Sequence, residues 1–166
     1  IELIMPLIQE QFFDIGANLT HESFTEDLDS VIIEASKLGV KRLSVTGSSV
    51  KDSLEAFEIT QRYPKTCIST AGIHPHNAKE YSTSAFSEIK DLLKNDLVKS
   101  IGETGLDFNR NFSSPEDQQK SFEAHLELSI ELNKPLFLHE RDAHEKFVEI
   151  TSLYLKDLPK SVVHCF

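Results

Sequence analysis

The feature that most constrains this chain is an alternation of short β-rich runs with longer helical patterns. Strands are expected at residues 12–17, 42–46, 67–73, 98–103, 135–139 and 162–166, and helices at 25–38, 50–62, 84–94, 115–132 and 143–155. The longest helix carries its own start signal. Ser114 stands where an N-cap belongs, Pro115 fits the first helical position, and Glu116 and Asp117 place acids in the first turn. Phe122, Leu126, Ile130 and Leu132 then mark an apolar stripe at roughly helical spacing. Gly39 follows Leu38 where a helix would stop and turn into the next strand.

Strand, helix and strand repeated with short connections imply a parallel sheet with right-handed crossovers. An open doubly wound sheet and a closed barrel both fit that pattern. No G-x-G-x-x-G or G-x-x-x-x-G-K-[ST] follows any strand, so a nucleotide-binding open sheet lacks its usual marker. Six strands fall short of eight, and such barrels rarely have fewer than ~200 residues. A final apolar strand without a covering helix would also leave a hydrophobic edge. The expected fold is therefore α/β: a (β/α)8 TIM-type barrel represented by its N-terminal six strands and five helices. Residues 12–166 are read as this incomplete barrel domain, lacking its C-terminal strands. Residues 1–11 are read as a leader or extension ahead of it, apolar but interrupted by Glu2 and Pro6 and without a basic start.

Lys and Arg total 17 against 27 Asp and Glu, a formal charge of −10. Tight, sequence-independent binding along a duplex needs a basic face, so this balance argues against a nucleic-acid coat protein. It leaves room for an enzyme that grips phosphates at one local metal site. No apolar run approaches the ~20 residues needed to cross a bilayer, so no membrane partner is expected. Cys67 and Cys165 are too few and too far apart for a disulfide scaffold. Reduced thiols and a cytoplasmic location follow as expectations.

Four strands run into polar groups: His74-Pro75-His76, Glu103 through Asp107, His139-Glu140-Arg141 and His164-Cys165. The C-terminal strand ends of a parallel α/β fold form its active-site face, so these groups are expected to converge. Glu103, His139 and His164 are the candidate metal ligands. Imidazole suits Zn²⁺, Mn²⁺ or Fe, and carboxylate suits Mg²⁺ or Mn²⁺. Each histidine alone also reads as a hydrogen-bonded core residue, whereas an ionised Glu103 ending a buried strand needs a partner. His74 and His76 are candidates for substrate contact or for a surface loop. Arg141 could hold a phosphate oxygen or pair with Asp107 or Asp142, and Arg110 is a second phosphate candidate. Asp107 could orient a ligand or cap the loop. Cys165 alternates away from His164 and is read as a buried core thiol. His21, His125 and His144, without matching partners, are read as structural or exposed.

Five blocks in order resemble the TatD family of metal-dependent deoxyribonucleases, within the amidohydrolase-like barrels. They are residues 13–20 (FDIGANLT), 71–76 (AGIHPH), 101–112 (IGETGLDFNRNF), 139–144 (HERDAH) and 163–166 (VHCF). The resemblance implies a (β/α)8 barrel and a divalent metal, usually Mg²⁺ with Mn²⁺ or Zn²⁺ as alternatives. It also implies 3′-to-5′ hydrolysis of single-stranded DNA by a monomer. On it, Glu103, His139 and His164 match metal-ligand positions, and His74 and His76 lie at the substrate mouth. His76 and Arg141 would steady charge at the phosphate. Gly16 and Asn18 stand where many members carry the D-x-H-x-H histidines, which places a full two-metal centre in doubt. The family's late E-T-D block, source of its general base, has no counterpart up to residue 166. Two other readings compete: an amide or ester hydrolase on the same barrel, and a non-catalytic fragment.

Overall fold

The computed structural model describes residues 11–165, so the expected leader lies outside the described residues apart from Gln11, and Phe166 lies outside them too. The strands are β1 (Phe12–Ala17), β2 (Val40–Val45), β3 (Cys67–Ala71), β4 (Val98–Asp107), β5 (Leu136–Arg141) and β6 (Val162–His164). They pair in parallel in the order β1-β2-β3-β4-β5-β6. The crossovers are α1 (Leu28–Lys37), α2 (Val50–Arg62), α3 (Thr83–Leu92), α4 (Pro115–Leu132) and α5 (His144–Tyr154). This is the expected set of six strands and five helices of a TIM-type barrel.

Local chemistry sets the helix starts. Ser49, Ser82 and Ser114 accept hydrogen bonds from the backbone N–H groups of Asp52, Ala85 and Asp117, relieving donors that have no partner within the helix. At the far end of α4, Asn133 takes up a left-handed conformation (φ 48°) that closes the helix before β5. Helix α1 starts three residues later than expected, because a short 3₁₀ turn at Glu22–Phe24 uses the preceding residues.

Strand β4 runs four residues beyond its expected end. Gly102 falls within the expected strand and Gly105 beyond its expected end, and both lie inside β4. A Cβ at Gly105 would sit 2.0 Å from the His139 carbonyl oxygen, and one at Gly102 would sit 2.2 Å from that of Phe137. The glycines are there for close backbone approach to β5, at φ values of +140° and +136°.

The apolar core lies between the sheet and its helices. Phe122, Leu126, Ile101, Leu106 and Leu136 are buried there, and Phe122 stacks on Phe147 with ring centroids 5.1 Å apart. A second patch joins Ile32, Leu43, Val45, Ala56 and Cys67 under α1 and α2. The other face of the sheet curls inward. A Cβ at Gly16 on β1 would lie 3.1 Å from the Phe137 ring on β5, and that ring in turn stacks on His164 at 4.4 Å. Strands far apart in sheet order therefore meet across the interior.

Candidate metal centre

Glu103 lies within β4, with its backbone N–H donated to the Gly47 carbonyl at 2.8 Å. Three strands deliver imidazoles to one of its oxygens. Oε1 lies 2.9 Å from His139 Nδ1 on β5, 2.7 Å from His164 Nε2 on β6, and 3.4 Å from His74 Nε2 beyond β3. His139 and Glu103 are largely buried, and His164 is the most open of the four. Burial opposes charge on Glu103. The hydrogen bonds from His139, His164 and His74 outweigh it and hold the carboxyl well below the usual carboxylate range.

The donor set suits a divalent cation. Ligand atoms of His74, Glu103 and His139 lie within 4.8 Å of one another. His139 donates through Nδ1 to Glu103, which leaves a lone pair on Nε2 of the neutral ring. That Nε2 is buried without a hydrogen-bond partner and faces Asp107 Oδ2 at 3.4 Å. Two acceptors facing each other in a buried pocket gain from a cation between them or beside them. His74 came from the sequence as a residue of the substrate mouth. The structure also brings it into the cluster, because Pro75 starts a 3₁₀ turn for which His74 is the cap. His74 Nδ1 accepts the His76 N–H at 3.1 Å, and its Nε2 turns to Glu103. Burial pushes the His74 imidazole below its ordinary pKa.

Asp107 ends β4 and is 1% exposed. Its Oδ1 accepts the N–H groups of Asn109 and Arg110 at 3.0 Å each, and its Oδ2 accepts His76 Nε2–H at 2.7 Å. It thus caps the loop and orients an imidazole at once. Burial works against its charge, but the Arg110 amide, His76 and the Asn109 amide bring its carboxyl down to about 2.

The arginines are placed differently. Arg110 is exposed on the loop after β4. Arg141 makes no ion pair among the described residues and lines a separate groove of about 880 Å³ with Phe108, Phe147 and Val163. Neither Asp107 nor Asp142 pairs with it. Asn18 shares a cavity of about 560 Å³ with His74, His76 and Glu103. Cys165, expected in the core, is exposed: it turns off the end of β6 at φ 61° and leaves the strand alternation behind.

Two residues of α4 complete the support. Gln118, fully buried, accepts the Asp107 N–H at 2.8 Å and donates to the carbonyls of Asp107 and Ser113 at 3.0 Å each. His125, equally buried, accepts the Ile73 N–H through Nε2 at 3.1 Å and donates Nδ1–H to the Ser121 carbonyl at 2.7 Å. It holds the peptide next to His74. Burial lowers its pKa to about 4. The sequence reading left out Gln118 and took His125 only as structural or exposed. Their signal is a polar stripe, Gln118, Ser121, His125 and Ser129, at helical spacing on the side that also carries Phe122 and Leu126.

Known proteins resemble this chain over most of its length. A family model described as TatD related DNase matches residues 13–166. The chain is 45% identical over 154 residues to the 3′-5′ ssDNA/RNA exonuclease TatD of Pectobacterium carotovorum, covering 93% of this chain and 59% of that protein. It is 44% identical to the Salmonella typhimurium protein of the same name, with the same coverage. A TatD family hydrolase from Entamoeba histolytica superposes with a TM-score of 0.86 at 30% identity, covering 95% of this chain and 58% of that one. An uncharacterized amidohydrolase from Saccharomyces cerevisiae gives 0.84 at 27% identity, with 95% and 62% covered. The chain thus spans about 59% of the length of the curated relatives it matches. With the strand order, the histidine cluster and a match over nearly its whole length, the chain belongs to the TatD-related DNase family.

Proposed function

We propose that the whole protein is a metal-dependent nuclease that hydrolyses single-stranded DNA from its 3′ end, with Mg²⁺ as its ion. The observation that carries this reading is the meeting of His74, His139 and His164 on Glu103 Oε1, beside a buried imidazole nitrogen without a partner. Glu103, His139 and His164, with His74 beside them, would hold the ion. When bound, it supplies Lewis-acid polarisation of a phosphodiester oxygen.

The chain's own groups do the rest. His76, oriented by Asp107, would steady charge at the phosphate in the cavity that it lines. Arg110 and Arg141 would contact the strand from the rim. The general base and the remaining barrel strands are assigned to the part of the relatives' length that this chain does not span. The whole protein is proposed to act as a monomer. Two free, unpaired cysteines support a cytoplasmic location. Among the described residues, no helix is long and apolar enough to cross a membrane.

The test is digestion of 3′-tailed single-stranded DNA and RNA in Mg²⁺, with a chelator control and the Glu103→Ala variant. Chelator-sensitive shortening from the 3′ end that vanishes in the variant is expected. Shortening that survives both the chelator and the substitution would overturn the assignment.

A further inference from the structure

Phe112 is 57% exposed at the cavity that also holds His74, His76 and Glu103. A single exposed ring is ordinary on a protein surface. This one is held in place. His76 meets it edge to face at 4.9 Å with the planes at 89°, and His76 is itself anchored on Asp107. The flanking loop is tied down on both sides. Asp107 accepts the amides of Asn109 and Arg110, while Ser113 Oγ donates to the His76 carbonyl at 2.9 Å and accepts the Lys79 N–H at 3.0 Å. A fixed aromatic face open to solvent is a surface that needs no ordering when a flat partner arrives.

Lys79 is the one lysine or arginine among the residues lining this cavity. Its ammonium makes no ion pair among the described residues. In a chain of charge −10, an unpaired cation lining the same cavity as an exposed ring is a local exception to the acidic surface. From Phe112 the path to Glu103 passes through His76 and His74, whose rings lie 4.4 Å apart.

We infer that Phe112 is a stacking platform for an unpaired nucleobase next to the phosphate at Glu103, with Lys79 against the adjoining phosphate. This rests on the nuclease reading and names what holds the strand. Stacking on an aromatic ring tolerates any base, because every base has a π-face. A duplex keeps those faces in its own stack, so the platform favours a single-stranded or frayed end.

The test is equilibrium binding of 5′-labelled oligothymidylate by fluorescence anisotropy, in metal-free buffer with chelator. The parent protein and Phe112→Ala are each titrated with the intact strand and with strands carrying an abasic site at one of the last three 3′ positions. Phe112→Ala is expected to weaken binding roughly 5- to 100-fold. One abasic position should cost the parent a similar factor and cost the variant nothing more, and Phe112→Trp should bind at least as well as the parent. Lys79→Ala should reduce the slope of log affinity against log salt by about 0.7. Parent-like binding by Phe112→Ala, abasic losses equal in parent and variant at every position, or no binding by the parent overturns the platform. An unchanged salt slope overturns the role of Lys79. Binding is read without metal or cleavage, so a failed nuclease reading would show as coupled binding without chelator-sensitive shortening. A failed platform would leave the shortening intact.

Discussion

His164 Nε2 and Glu103 Oε1 lie 2.7 Å apart across 61 residues of chain, and the same oxygen meets His139 and His74. Replacing Glu103 by Gln keeps the shape but removes the charge on which the proposed cation site depends. Calorimetric titration with Mn²⁺ should show affinity lowered by more than about 100-fold, since even partners that merely orient a ligand cost 10- to 100-fold. Equal affinity in the variant would mean that the cation sits elsewhere.

Gln118 makes three hydrogen bonds in a fully buried position. Gln118→Ala strips partners from the Asp107 backbone and should cost about 2 kcal/mol. For a domain of this size that is a fall in Tm of roughly 4–8 °C. Gln118→Glu should fall further, because a carboxylate would then face two carbonyl oxygens. A thermal melt unchanged by either substitution would show that the network is idle.

The imidazole of His125 is kept neutral by burial, with its pKa lowered to about 4. The unfolded chain takes up that proton near pH 6.5 and the folded chain does not. Between those values the unfolded state binds more protons, so stability drops as pH falls. The loss should reach about 2 kcal/mol at pH 5. His74, also lowered by burial, acts in the same direction. The comparison is therefore urea unfolding of the parent against His125→Gln at pH 7.5 and pH 5. The variant should lose about 2 kcal/mol less, and parallel curves would rule out a buried neutral His125.

Gly105→Ala should cost about 4 kcal/mol, from a disfavoured φ together with a clash against the His139 carbonyl. Denaturant midpoints of the purified variant would show it, and a midpoint equal to the parent's would mean that β4 and β5 can part without penalty.

Cys67 is wholly buried and its thiol is pushed up to about 11, while Cys165 is exposed. Thiol labelling followed by peptide mapping should modify Cys165 quickly in the native protein and Cys67 only on unfolding. Fast labelling of Cys67 would contradict the packing around it.

Much of this was legible from the chain. The strand and helix alternation, Ser114-Pro115 at the start of α4, and polar groups ending four strands led directly to the sheet and to Glu103, His139 and His164. What stayed hidden depends on distance in space. The reason for glycine at positions 102 and 105 appears only once β5 is known to press against them. His125 sits in a polar stripe on α4, but the Ile73 N–H that it serves lies 52 residues away. The cap geometry that turns His74 inward follows from Pro75, yet its target lies on another strand. Arg141 shows the converse: strand alternation suggests a shared face with His139, but Arg141 is the last residue of β5, where the groove beside α5 takes it.

The shared oxygen has one more consequence. Because three strands deposit their imidazoles on a single atom, the curl of the sheet and the spacing of the cluster are one variable. Any loosening that draws β6 away from β4 lengthens His164–Glu103 before it disturbs the helices outside. The centre therefore acts as a gauge of the sheet's curl, and whatever draws β6 toward β4 also brings His164 onto Glu103.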